Sequence, residues 1–282
     1  MGTICMRSLL TTSSHKLDAS HGKGYLPAAL HLLPHTLAYD KEFNRTLGTI
    51  EPLRRKASLC PRSTPACRAH CLVHSGMGMA HRTLRARHER TRRFLDDRKA
   101  FLRDLERDID RHARHAEERK LKPCVRLNAT SDVNWFKTAP WLFWNFPHVQ
   151  FYDYTKRPDM YQQWRETGMS MYSGGKPLWN VHLSFSWSGT RDNAQYCRNM
   201  IQRSFQCDNL PLQIVVPDVG KTYDDRVENV KLRLGVDLGY YTDGDEHDLR
   251  FLDDDPTIVV LKVKHTSSKF RSKEVDASPF FG

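Results

Sequence analysis

Val149-Gln150-Phe151-Tyr152-Asp153-Tyr154-Thr155-Lys156 runs through Arg157 into Pro158 and a mixed stretch ending near Glu166. Its aromatic and β-branched residues suit a half-buried strand, and its far end turns polar. Pro158 suits the first turn of a helix. The unit is a strand with a polar end, followed by a helix. It recurs on both sides. Upstream, Cys124-Val125-Arg126-Leu127 alternates and then becomes polar at Asn128, Thr130, Ser131 and Asp132, with the aromatic stretch 135–144 behind it. Downstream, Val181–Ser186 is followed by a helical pattern over Asp192–Phe205, and Leu212–Pro217 and Thr257–Val263 read as two more strands. Strands alternating with helices predict parallel pairing through right-handed crossovers. The expected fold is α/β, with a mostly parallel sheet or an incomplete, irregular βα barrel.

The region before these units is helical. From Arg82 to Leu121 the chain carries one long helical pattern, broken near Phe94-Leu95, where Asp96 or Asp97 can cap a second helix. Phe101, Leu105, Ile109, Ala113 and Ala116 form an apolar stripe for packing on a sheet. Tyr25–Leu33 is a short apolar run that reads as a buried strand or a loop entering the core, and a short helix is expected before it. Residues 36–59 read as an inserted surface connection. Residues 1–264 are expected to form one α/β domain, and 265–282, rich in Ser and Lys, a mobile tail.

The formal charge is +11, and its distribution matters more than its size. Arg82 to Arg93 holds six arginines against one acid, whereas Asp96 to Lys120 is balanced at eight of each sign. The excess therefore sits on one short helix, which suits a nucleic acid or a phosphorylated ligand, although a solvated helix face has the same composition. No apolar run is long enough for a transmembrane helix, and the N-terminus lacks a signal-peptide core. Seven cysteines in a chain this long argue for a reducing compartment. A cytoplasmic protein without membrane contact is expected.

Three of those cysteines lie close together. Cys60, Cys67 and Cys71 fall within CPRSTPACRAHC, and Gly76 and Gly78 follow before the basic helix. Thiolates prefer soft metals and iron–sulfur clusters. The spacing, C-x6-C-x3-C, is neither a zinc-ribbon nor a ferredoxin spacing. The expected cofactor is an iron–sulfur cluster or zinc, held by these three residues. Gly76, Gly78, Arg82 and Arg85 form the candidate anion site, because a helix start and nearby arginines favour negative charge. In parallel sheets sites form at the carboxyl edge, so Asp132, Asp153 and Lys156 are candidate catalytic residues: carboxylates for proton transfer, a lysine for a developing anion. The same residues cap loops routinely. A final cluster, Asp243-Gly244-Asp245-Glu246-His247-Asp248, adds Asp245 and His247 as candidates. It precedes the last strand, which would put it at the amino edge unless the loop folds back.

Taken together, MRSLLTTSSHKL, YLPAALHLLPHTLA, CPRSTPACRAHCLVHSGMG, VRLNATSDVNW, FPHVQFYDYTKRP and DGDEHDLRFLD resemble the phage "gene product 88" family over most of the chain. The resemblance implies an α/β protein with a cysteine cluster, and it names no reaction. Two departures from the family pattern stand out: an insertion over Ala38–Leu59 and a poor fit over Pro217–Tyr241.

Three functions fit these features. The first is a metal or iron–sulfur enzyme acting on a nucleotide or nucleic acid. A three-cysteine cluster leaves one iron open, as in radical S-adenosylmethionine enzymes, although their C-x3-C-x2-C spacing is absent. The second is a nucleic-acid-binding protein with structural zinc, completed by His70 or His74. The third is a phage accessory protein that binds a host protein.

Overall fold

A computed structural model describes residues 8–13, 17–18, 20–34, 48, 57–74, 78, 80–167, 179–205 and 211–263. Within them the chain forms an eight-stranded sheet of order β1-β2-β3-β4-β5-β6-β8-β7. The strands are β1 (Leu10–Thr11), β2 (Tyr25–Leu30), β3 (Lys122–Arg126), β4 (Gln150–Thr155), β5 (Val181–Ser186), β6 (Gln213–Asp218), β7 (Tyr241–Asp243) and β8 (Thr257–Lys262). Every pairing is parallel except that of β1 with β2. The sheet does not close into a barrel: β1 and β7 are its two edges.

The helices follow from local signals. They are α1 (Pro65–Ala69), α2 (His81–Asp96), α3 (Arg98–Glu118), α4 (Trp135–Thr138), α5 (Trp141–Asn145), α6 (Pro158–Thr167), α7 (Arg191–Phe205) and α8 (Tyr223–Leu234). Asp97 separates α2 from α3 and caps the latter, its side chain accepting the Ala100 N–H at 3.1 Å. Asp97→Ala is expected to cost about 1 kcal/mol, read as a lowered urea midpoint with an unchanged slope. Thr222 and Asp225 form a reciprocal capping box at the start of α8, and Gly235 ends it in the left-handed conformation. Among the described residues no helix is long and apolar enough to cross a membrane.

Two strands, the short helices α1, α4 and α5, and the longer α8 escape the sequence reading. β1 occupies part of the region expected to be helical, β7 is only three residues long, and α8 falls in the stretch that departs from the family pattern. Short edge strands carry too few residues for a period to show. Most of 36–59, and all of 264–282, lie outside the described residues.

One face of the sheet carries the apolar core. Val125, Phe151, Leu183, Phe185, Ile214, Val216, Ile258 and Val260 share it with the α3 stripe Phe101, Leu105, Ile109 and Ala113. The parallel register keeps these residues in rows, with Val125 opposite Phe151, Phe151 opposite Val181, and Ile214 opposite Ile258. The other face carries Cys124, Arg126, Tyr152, Tyr154 and Gln213, because side chains alternate along a strand. The segment after β7 covers it. Leu249 packs with Cys124 and Tyr152, Phe251 stands 5.5 Å from the Tyr152 ring, and Gln213 donates to the Arg250 carbonyl at 2.8 Å.

Candidate functional site

The cysteine segment, residues 57–74, lies across the carboxyl ends of the strands. Its backbone is tied there at several points. The Asp132 N–H donates to the Leu59 carbonyl at 2.7 Å. Thr64 caps the first turn of α1 by accepting the Cys67 N–H at 3.0 Å, and its hydroxyl donates to the Ser188 carbonyl beyond β5 at 3.3 Å. The Cys60 thiol points to the Thr130 carbonyl at 3.8 Å. The segment is thus fastened to the ends of both β3 and β5, and it roofs a cavity of about 260 Å³.

Cys60, Cys67 and Cys71 all border this cavity, together with Asp132, Lys156, Asp245 and Asp248. Lys156 is the central charge. Its ammonium donates to Ser186 Oγ at 3.0 Å. Burial works against its charge, but Cys67 first, then Asp132, Cys60 and Cys71, outweigh it and hold its pKa above the usual lysine value. Burial pushes the Cys71 thiol up to about 11, against a hydrogen bond from the Val73 backbone. Without a bound cation Cys71 is therefore a neutral thiol at pH 7, and a metal taking it up would release its proton.

The Asp132 carboxylate accepts from Thr155 Oγ1 at 2.9 Å and from the Lys156 N–H at 3.1 Å. Burial raises its pKa, and those two donors oppose the rise. It is a constrained carboxylate at the cavity wall, able to accept a proton or orient a ligand. Asp245 reaches the cavity because β7 runs parallel to β8, which brings the acidic turn to the carboxyl edge. Chain order leaves either edge open to this turn, and this one short strand puts it at the carboxyl edge. Asp245 accepts the Lys262 N–H at 2.8 Å and has Arg226 at 3.6 Å.

Other candidates stand elsewhere. Asp153 points to the opposite side of β4, where its carboxylate accepts the Asn128 N–H at 2.8 Å and lies 3.8 Å from Arg126 Nε. Burial pushes its pKa up to about 8. It organises the end of β3 and does not border the cavity. His247 is also outside: its Nδ1 accepts the Leu249 N–H at 3.2 Å, which leaves the proton on Nε2, near Asp253. Burial lowers its pKa, so the ring is neutral.

Of the expected anion site, Gly78, Arg82 and Arg85 lie within the described residues. Arg82 and Arg85 are exposed on α2 and border no part of the cavity. Gly76 lies outside the described residues. A Cβ on Gly78 would stand 3.0 Å from the Leu72 carbonyl oxygen, 3.1 Å from that of Val73 and 3.4 Å from Arg87 Nη1, so the backbone packs closely at this glycine. The cations that do border the cavity are Arg68, Arg126, Lys156 and Lys262.

Sequence reasoning missed the floor. Arg126 Nη1 pairs with Asp248 at 2.7 Å and its guanidinium stacks 4.3 Å from the Tyr154 ring centre, while Tyr154 Oη donates to Asp248 at 2.9 Å. The alternation of β3 and β4 could have put Arg126 and Tyr154 on one face. Nothing local tied Asp248 to them. Trp187 and Ser186 at the end of β5 also border the cavity.

Among the described residues no group of three or more His, Cys, Asp or Glu side chains is arranged to hold one metal ion. The three sulfurs border one cavity without being gathered to single-ion spacing.

The family model for gene product 88 matches residues 8–277. The chain belongs to the gene product 88 family. No curated protein and no solved structure matches it. The match to this gene product 88 protein spans both the cysteine segment and the acidic turn, and every residue lining the cavity falls within it.

Proposed function

We propose that this gene product 88 protein is an iron–sulfur enzyme whose cluster is held by Cys60, Cys67 and Cys71 and whose cavity takes a nucleotide-sized ligand. The observation that carries this reading is that all three thiols border one cavity with the Lys156 ammonium in electrostatic reach of each. The donor chemistry fits: three soft thiolates, with a fixed cation to offset the negative charge that they and the cluster sulfides collect. Sulfurs spread around a cavity suit a multi-iron cluster better than one zinc ion, whose bonds of about 2.3 Å require them close together. Three ligands also leave one iron of a four-iron cluster free for a substrate or cosubstrate.

The cavity limits the ligand. At about 260 Å³ it lies near the lower end of small-molecule sites. It suits a single nucleotide or nucleoside and not a duplex. Lys156, Arg68 and Lys262 offer charge to a phosphate or carboxylate, and Trp187, Pro217 and Leu261 offer apolar surface to a base. Asp132 is the group placed to exchange a proton or hold a polar ligand atom. S-adenosylmethionine is one ligand of this size and chemistry, and the sequential parallel strand order with cysteines after the first parallel strand is compatible with its use. The cysteine spacing departs from that of radical enzymes that use it.

Anaerobic purification, followed by iron, sulfide and zinc analysis and a visible spectrum, tests the reading. Stoichiometric iron and sulfide with broad visible absorbance are expected. Zinc in their place would favour the structural reading, in which His70, also at the cavity, supplies a fourth ligand. Neither metal after reconstitution would sink both.

A further inference from the structure

The ends of β4 and β5 lie side by side, with Tyr154 opposite Ser184 and Thr155 opposite Phe185. The next step of that parallel register sets Lys156 beside Ser186, and both border the cavity. The Lys156 ammonium donates to Ser186 Oγ at 3.0 Å. An ammonium carries three N–H donors and a hydroxyl one O–H. Two N–H groups of Lys156 and the Ser186 O–H therefore have no acceptor among the described residues, and no carboxylate there forms a salt bridge with Lys156. Next in the chain, Trp187 borders the same cavity and is 4 % exposed, and its indole Nε1 is buried without a hydrogen-bond partner. The end of β5 thus adds a further donor for which the described chain supplies no acceptor.

The other charges on the cavity wall are engaged. Asp132 accepts from Thr155 and from the Lys156 backbone, Asp245 from the Lys262 backbone, and Asp248 from Arg126 and Tyr154. Asp248 and the Tyr154 ring hold the Arg126 guanidinium in turn. Arg68 donates to the Ser63 carbonyl at 3.0 Å, and both Arg68 and Lys262 are exposed. Lys156 is left as the inward cation with donors to spare. Its pKa stands above the usual lysine value, held there by Cys67 and Asp132 against burial, so it is a cation at neutral pH and no base toward Ser186. A buried charge without a counter-ion is unfavourable, and spare buried donors call for a group to complete them. Because Nζ and Oγ are in hydrogen-bond contact, their spare donors serve one place. A phosphate monoester brings three terminal oxygens and nearly two negative charges to such a place, where a carboxylate brings two oxygens and one charge. Val215 and Pro217 of β6 and Leu261 of β8 border the same cavity and give it an apolar side.

We propose that Lys156 and Ser186 form a phosphate anchor: a nucleoside monophosphate enters the cavity with its phosphate on the ammonium and the hydroxyl, and its base against the apolar side made by β6 and β8. The proposal rests on the reading of the cavity as a nucleotide-sized site and does not need a metal at the thiols. A nucleoside without its phosphate leaves the ammonium unpaired, so the anchor selects the phosphorylated form.

The experiment uses the full chain purified anaerobically, with iron and zinc quantified in every sample. Isothermal titration calorimetry compares AMP, GMP, CMP and UMP with the matching nucleosides, and with benzoate as a carboxylate probe. Hydrogen bonds to charged groups set the scale, so one or more monophosphates are expected to bind about tenfold or more tightly than the matching nucleoside. Lys156→Met is expected to remove that difference, weakening the monophosphate by about tenfold or more and leaving the nucleoside within about twofold. Ser186→Ala is expected to weaken the monophosphate by about threefold to tenfold. Equal binding of monophosphate and nucleoside, tighter binding of benzoate than of every monophosphate, or no binding of any probe would overturn the proposal. Should Lys156→Met fail to fold, Ser186→Ala decides, and an unchanged monophosphate affinity there would overturn it. Phosphate preference in a chain that carries neither iron nor zinc upholds the anchor while the cluster reading falls. Iron without phosphate preference overturns the anchor and leaves the cysteines standing.

Discussion

Serine at Cys60, Cys67 or Cys71 is expected to abolish the iron binding proposed for these thiols. Each substitution exchanges a soft thiolate for a hydroxyl that stays protonated at neutral pH and binds iron weakly. Even residues outside the first ligand sphere cost about 10–100-fold in metal affinity when altered, so loss of a ligand should exceed about tenfold. Cys197→Ser is the control: that thiol is buried in the core under α7, away from the cavity. Iron and sulfide analysis after reconstitution decides the matter, with the visible spectrum as a second readout. Full iron content in all three single variants would show that these thiols hold no cluster. The melting temperature of each iron-free variant should stay near that of iron-free wild type, because none of the three belongs to the buried apolar core.

The second large effect concerns the cavity floor. Asp248→Ala leaves the Arg126 guanidinium buried beneath Tyr154 with Asp153, 3.8 Å away, as its remaining carboxylate among the described residues. Burial opposes the Arg126 charge, and Asp248, then Tyr154 and Asp153, more than compensate. Removing one partner of such a pair typically costs about 3–5 kcal/mol, because the other is left charged in a poor solvent. A drop of that size is expected in urea unfolding. The double variant Arg126→Met with Asp248→Leu should recover most of it, since replacing a buried pair by apolar groups is often close to neutral. A loss below about 1 kcal/mol in the single variant would match an exposed pair and contradict the buried geometry.

These two tests separate what the cysteines do from what holds the cavity open. The first reads ligand binding with little effect on the iron-free fold. The second reads stability through a pair that borders the cavity but is tied into the sheet face.

The parallel architecture was legible in the chain because its units repeat a simple rule. Val181–Ser186 places apolar side chains at every second position, Val149–Thr155 is dense in aromatic and β-branched residues, and α3 places Phe101, Leu105 and Ile109 on one stripe. Such periods are local properties, set by strand and helix geometry before any tertiary contact exists. Asp97 announced its own cap for the same reason. Parallel order then brings strand ends to one edge, so Asp132 and Lys156 could be expected near each other and near the cysteine segment. The family followed from the motif set, independently of any geometry.

Tertiary structure decided everything that depends on one residue more or less. β7 is three residues long, too short to show a period, yet its parallel pairing with β8 delivers Asp245 to the cavity. Asp153 sits one residue beyond Tyr152 and one before Tyr154, and that single step turns it to the far side of β4, where it supports Asn128 in place of facing a ligand. Arg82 and Arg85, the candidate anion-binding arginines, open a basic helix. A helix displays its residues around a full turn, and only packing selects a face. Packing turned those two to the solvent and Arg87 inward. Asp248 met Arg126 across 122 residues of sequence, a contact that no local pattern encodes because it exists only once the sheet has brought its strands together.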